Sequence, residues 1–156
     1  LSMGMSGDFE DAIAEGATVA CGGHKAQVDG KGWFYEPTVI TGCTHDMRIM
    51  RDEIFGPVLP ITTFKTLDEA IEMANDSVYG LTSSIYTTDY DTVMRAMNEI
   101  KFGETYVNRE HFEAFQGFHQ GVRQSGIGGE DGELGVEEYL ETHVCYVDWD
   151  TERNKA

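Results

Sequence analysis

At 156 residues the chain is long enough to bury one hydrophobic core and short for two ordinary domains, so one compact unit is the expectation. Hydrophobic residues at 40% and aromatics at 11% exclude a disordered acidic tail. The 28 acidic side chains against 11 basic ones leave a formal net charge of −17, which repels nucleic acid and anionic lipid and disfavours a role at either surface.

The acids are dispersed, in only short clusters such as those at 129–133 and 137–138, as on a solvated surface. A salt-rich cytoplasm would screen their repulsion. The three cysteines, Cys21, Cys43 and Cys145, have no CxxC spacing, which predicts neither a disulfide framework nor a zinc site and suits a reducing cytosol. There is no apolar run near the roughly 20 residues of a membrane span, and Leu1-Ser2-Met3-Gly4-Met5 lacks the marks of a signal peptide. A soluble, cytoplasmic protein is expected.

Phe9, Ala12, Ile13 and Ala17 fall at helical spacing, with Gly16 closing the helix. Residues 17–21 read as a short buried strand, followed by a polar loop through Gly30 and Gly32. Trp33-Phe34-Tyr35 leads to Pro37, which biases Glu36 away from helix, and Thr38-Val39-Ile40 resumes an extended pattern. Between Arg51 and Phe64 a Gly-Pro corner interrupts an apolar stretch that continues as a strand. Thr66 and Glu69 have capping-box spacing, so a helix carrying Leu67, Ala70, Ile71 and Ala74 on its buried stripe should begin there and end at 75–77.

Residues 81–87 read as a strand, and Val93, Met94, Met97 and Ile100 mark a helix over 90–100 whose methionines belong to the core. Gly103 stops it and 104–108 begins another strand. Alternating strands and helices predict an α/β layered core. From Arg109 to Gly135 the pattern is lost, as in a long functional loop or a disordered segment. A short helix near 136–140 and a terminal strand over 142–147 close the chain.

Glu53-Ile54-Phe55-Gly56-Pro57-Val58 sets a carboxylate two residues before an aromatic and fixes the backbone beyond them; the bland reading is a solvated acid beside a core phenylalanine. Together with Ala74-Asn75-Asp76-Ser77-Val78-Tyr79-Gly80-Leu81, Phe102-Gly103, Val107-Asn108, Ser125-Gly126-Ile127-Gly128 and Gly135 with Glu138-Tyr139, it resembles the aldehyde dehydrogenase superfamily, in order and spacing, from about Glu15 to the terminal strand. The resemblance implies the carboxy-terminal part, roughly the last third, of a member with an α/β/α catalytic domain and an NAD or NADP cofactor. On that footing residues 1–141 are part of the catalytic domain, 142–148 an oligomerisation strand that joins a neighbouring subunit's sheet, and 149–156 a tail that extends past the family's usual strand, a candidate for disorder.

By the same resemblance Glu53 hydrogen-bonds the nicotinamide ribose and Phe55 packs near the nicotinamide; a carboxylate accepts paired hydroxyls and an aromatic supplies an apolar wall. The family's nucleophile is an accessible cysteine thiol that attacks the aldehyde. None of Cys21, Cys43 and Cys145 occupies the matching context, so no catalytic residue is assigned here and the 156 residues alone are expected to be inactive. Asn108-Arg109-Glu110-His111-Phe112-Glu113-Ala114-Phe115-Gln116-Gly117-Phe118-His119 lies, in the family, beside the substrate tunnel. Its wording is similar to the lactaldehyde and glycolaldehyde dehydrogenase branch, which makes His119, Glu113, Arg109 and Asn108 candidates to hold a small hydroxyaldehyde; a solvated His111 and phenylalanines that only fill the core are the bland alternatives. The loop at Gln120-Gly121-Val122-Arg123-Gln124-Ser125-Gly126 departs from the Gly-Gly-x-Lys-x-Ser-Gly wording of many relatives. A non-catalytic α/β assembly module is the alternative reading.

Overall fold

A computed structural model describes residues 11–149 and divides the chain into two compact units, Leu1–Ser77 and Val78–Ala156, where length alone suggested one. Each half builds two small sheets of its own.

In the first unit residues 11–14 are helical, and the expected start at Phe9 lies outside the described residues. Gly16, at φ +105°, ends the turn as expected: its N–H donates to Ile13 O at 3.0 Å and that of Ala17 to Ala12 O at 2.9 Å. Strand β1 (Thr18–Cys21) runs antiparallel to β4 (Thr38–Thr41), which pairs in parallel with β5 (Val58–Pro60). Although β1 was expected to be buried, only Ala17 before it is buried and Val19 half-buried, because β1 is the sheet's edge. The central β4 alternates: Thr38 and Ile40 are buried and Val39 and Thr41 are less so. Buried Thr38 is satisfied, its hydroxyl donating to Glu36 O and accepting from Gly23 N–H, both at 2.8 Å.

The polar loop of the sequence reading is a hairpin of β2 (Lys25–Val28) and β3 (Lys31–Tyr35). Asp29 and Gly30, at φ +52° and +68°, form the two-residue turn with positive φ at both centres that Asp-Gly favours. A single helical turn, α1 (Arg48–Arg51), precedes β5, and α2 (Leu67–Asn75) follows it. Thr66 caps α2 by accepting the Glu69 N–H at 3.2 Å; the Glu69 carboxylate takes the Lys65 N–H at 2.7 Å, one residue before the expected Thr66. Ala12, Ala17, Ile40, Cys43, Met47 and Ile49 form the core, with Met50, Ile54 and Val58 packed on it.

In the second unit β6 (Thr82–Ile85) and β7 (Glu104–Val107) pair in parallel, joined by α3 (Tyr90–Glu99), the crossover that strand-helix-strand order predicts. Asp89 caps α3 by accepting the Thr92 N–H at 2.9 Å. Met94 and Met97, expected in the core, are 38% and 57% exposed, while Ala96 is fully buried: the helix turns its small residue inward. Short antiparallel β8 (His119–Gln120) and β9 (Gly129–Glu130) structure the patternless segment, and α4 (Gly132–Glu137) begins earlier than the expected 136–140. Its glycines hid it from a propensity reading, yet Gly135 is required, because a Cβ there would press on the Glu130 backbone at 2.8 Å. Residues 141–149 are exposed and carry no helix or strand; a ladder needs a partner strand, and none of the described residues supplies one to the expected strand 142–147. The tail beyond 149 lies outside the described residues. Among the described residues no helix is long and apolar enough to cross a membrane.

Candidate functional site

The candidate residues fall into two constellations, one in each unit. In the first, Glu53 and Phe55 flank the corner between α1 and β5. Phe55 stands at φ +50°, a conformation strained for a bulky side chain and typical of functional sites. It is 72% exposed, which removes the bland reading of a core phenylalanine. Glu53 is exposed too and makes no hydrogen bond or ion pair with a described residue, so its carboxylate is open to accept hydroxyl donors.

The corner is tied down on both sides. Beyond it, the Thr38 N–H donates to Pro57 O at 2.8 Å and anchors the Gly-Pro turn on β4. Before it, Arg51 donates through Nη1 to Asp76 Oδ2 at 2.6 Å and to Asp76 O at 3.2 Å, and His45 Nε2 lies 2.9 Å from the same Oδ2. These hydrogen bonds, Arg51 first and then His45, hold the Asp76 carboxyl below its ordinary range, and Asp76 raises Arg51 in turn. A cavity of about 460 Å³ opens beside this cluster, lined by His45, Met50, Phe64 and Met73 among others. Cys43 is buried with its Sγ 3.8 Å from Ile40 O, and His45 turns to Asp76.

The second constellation gathers on β7 and the segment after it. Asn108, at φ +54°, clamps the strand end: its amide accepts from Thr87 N–H at 2.8 Å and donates to Thr87 O at 2.9 Å. Both ends of that side chain are therefore engaged with backbone, which makes Asn108 a loop anchor. Arg109 lies over the Tyr106 ring, 5.5 Å from its centroid, and donates to Phe112 O at 2.6 Å. His111 stacks on Tyr106 at 5.6 Å and its Nδ1 is 3.0 Å from Thr82 Oγ1, so it is placed and not merely solvated. Glu113 is exposed, as are Phe112 and Phe115 at 68% and 89%, contrary to the reading of those rings as core filler.

His119 is held on β8 by two glycines. A Cβ on Gly129 would collide with His119 O, and one on Gly103 with Gln120 O. Its Nδ1 lies 3.1 Å from Glu104 Oε2, and Tyr106 donates its hydroxyl to the same oxygen at 2.7 Å. Burial, then the hydrogen bond to Glu104, pushes the Tyr106 phenol up to about 12, so it stays a donor. Periodicity marks 104–108 only as a strand, and the sole sequence signal for Glu104 and Tyr106 is two polar residues at i and i+2, on one face of it.

The arrangement offers an open carboxylate beside an exposed aromatic in one unit, and a His, Glu, Tyr and Arg cluster behind a loop in the other. A nicotinamide dinucleotide fits the donor chemistry of the first: a carboxylate suits ribose hydroxyls, and an exposed ring suits a flat heterocycle.

A profile of the aldehyde dehydrogenase family matches residues 4–145. Over 136 residues the chain is 59% identical to lactaldehyde dehydrogenase of Escherichia coli, covering 87% of this chain and 28% of that protein. It is 45% identical over 141 residues to 3,6-anhydro-alpha-L-galactose dehydrogenase of a Vibrio species, covering 89% of this chain and 29% of that one. The crystal structure of lactaldehyde dehydrogenase from Escherichia coli superposes with a TM-score of 0.88 at 55% identity, covering 92% of this chain and 30% of that one. A betaine aldehyde dehydrogenase from Staphylococcus aureus solved in complex with NAD+ superposes with a TM-score of 0.82 at 40% identity, covering 94% and 31%. The chain thus spans under a third of the length of these relatives, and the structural matches bear out the α/β fold class.

Proposed function

This chain belongs to the aldehyde dehydrogenase family, and from that premise we propose that it is the carboxy-terminal third of an NAD- or NADP-dependent enzyme that oxidises a small hydroxyaldehyde, such as lactaldehyde or glycolaldehyde, to its carboxylate. The observation that carries the reading is the 59% identity to a lactaldehyde dehydrogenase over 136 residues, a stretch that includes the loop bearing Glu113 and His119.

When bound, the dinucleotide accepts the hydride that leaves the aldehyde carbon. The residues present orient the reactants. Glu53 accepts hydrogen bonds from the nicotinamide ribose, and Phe55, held outward by its left-handed backbone, forms the apolar wall against the ring. His119, Glu113 and Arg109 meet the hydroxyl beside the aldehyde, and Asn108 sets the root of their loop through Thr87. A site built to pair a hydroxyl discriminates strongly against the deoxy analogue, because its polar groups are then left unmatched. The cysteine nucleophile comes from elsewhere in such an enzyme, so the 156 residues alone do not turn over. The terminal stretch 142–148, with Val144, Tyr146 and Val147 exposed, joins the sheet of a second copy in a cytoplasmic homo-oligomer.

The test is NAD(P)-dependent oxidation of lactaldehyde, glycolaldehyde and propionaldehyde by the 156-residue chain and by the full-length enzyme. Activity only in the longer protein, with a preference for the hydroxyaldehydes, supports the proposal; turnover by the short chain sinks the assignment of the nucleophile. The same apolar terminal stretch favours a second reading, a non-catalytic assembly module, which gains if the full-length protein associates but oxidises none of the three.

A further inference from the structure

Glu104 stands two residues before Tyr106 on β7, so both side chains rise from one face of the strand. His119 Nδ1, Glu104 Oε2 and the Tyr106 hydroxyl converge: one carboxylate oxygen receives the phenol at 2.7 Å and sits 3.1 Å from the imidazole nitrogen. The two side chains of the pair are 23% and 14% exposed, largely withdrawn from water. His119 Nδ1 is buried and has no hydrogen-bond partner among the described residues; its approach to Glu104 is close in distance but off the line of an N–H···O bond. Alignment requires rotation about χ2, a soft torsion for histidine.

A neutral imidazole carries its proton on one nitrogen and a lone pair on the other. A bare Nδ1 would set its lone pair against the carboxylate, whereas Nδ1–H completes a charge-assisted bond and ends the burial of an unpaired polar atom. We propose that Glu104 is the positioning residue that fixes His119 as the Nδ1–H tautomer, leaving Nε2 as an acceptor that selects aldehydes carrying a neighbouring hydroxyl donor. This rests on the reading of His119 as a substrate contact. Tyr106 completes the device: with its phenol pushed up to about 12 it remains a donor at neutral pH, so Glu104 stays the acceptor between two donors.

Two measurements on the full-length enzyme test the assignment. Solid-state nitrogen-15 NMR of the histidine-labelled wild type, with the His119 signals identified by their loss in His119→Asn, should show a protonated Nδ1 and a bare Nε2. An Nε2–H signal overturns the proposal, and this readout needs no change at Glu104. Kinetically, Glu104→Ala should lower the kcat/KM ratio of lactaldehyde over propionaldehyde at least tenfold, and should lower it no further in a His119→Ala background. If His119→Ala collapses the ratio while Glu104→Ala keeps it, Glu104 has no positioning role. Should His119→Ala keep the ratio, the substrate contact at His119 is what fails, and the Glu104 proposal falls with it.

Discussion

Arg51 and Asp76, 25 positions apart, meet through Nη1 and Oδ2 at 2.6 Å, which ties the approach to the Glu53 corner to the residue that ends α2. Asp76 also meets His45, so one carboxylate gathers two basic groups at the root of the proposed cofactor wall.

That gathering sets a pH dependence. The Asp76 carboxyl is held below its ordinary 3.8, first by Arg51 and then by His45. A depressed folded-state value means stability that is present above 3.8 and lost as the pH falls through the lower folded value. Asp76→Asn should therefore melt at a lower temperature than the wild type at pH 7, and the two curves should converge on acidification below the carboxylate range. All partners are partly exposed, so the gap is modest and shrinks in salt. Thermal melts of both proteins across that range check it, and a gap that widens on acidification contradicts it.

Two helix caps carry measurable stability. Thr66→Ala removes the acceptor of the Glu69 N–H on α2, and Asp89→Ala that of the Thr92 N–H on α3. Thr66→Ala should cost about 1 kcal/mol, Asp89→Ala should destabilise in the same sense, and because the caps share no partner the double variant should cost their sum. Urea unfolding read with a constant m-value tests this.

Gly103 and Gly129 hold β8 at backbone contact, so Gly103→Ala must move Gln120 and with it His119. The strain should destabilise the protein by about 1–3 kcal/mol, and the preference for lactaldehyde over propionaldehyde should fall by more than total activity does. At Gly16 no atom lies within 4 Å of an added Cβ, but φ is +105°, so Gly16→Ala should cost stability through backbone strain while leaving that preference intact. Equal effects of the two changes on the preference would argue against β8 as its support.

The net charge of −17 predicts stabilisation by salt. Repulsion among dispersed carboxylates is screened over about 10 Å at 0.1 M salt and about 3 Å at 1 M. The melting temperature should thus climb as sodium chloride is raised to molar levels; a flat response would remove the case for a salt-rich setting.

Features whose cause lies within a few residues were legible from the chain alone. Thr66 announces α2 through cap chemistry, helical spacing announces α3, Gly16 ends its turn, and β6, β7 and the crossover between them follow from local periodicity. The family follows from a set of motifs whose order and spacing are themselves linear. The Asp29-Gly30 hairpin carried an equally local signal that a polar, glycine-bearing loop concealed.

Other features depend on chain brought together over longer spans, and there linear spacing carries no information. Nothing at position 104 distinguishes a surface glutamate from one facing His119; only the close approach of Gly103 to Gln120, which a Cβ would block, creates that pair. The exposure of Met94 and Met97 likewise depends on which face of α3 meets β7, and a helical period shows that a face exists without saying what covers it. The chain by itself determined the local elements and the family, because hydrogen bonds within a turn or a cap are encoded by neighbours. Tertiary structure alone decided that Tyr106 and His119 both approach one oxygen of Glu104, because a contact between strands depends on how the backbone packs.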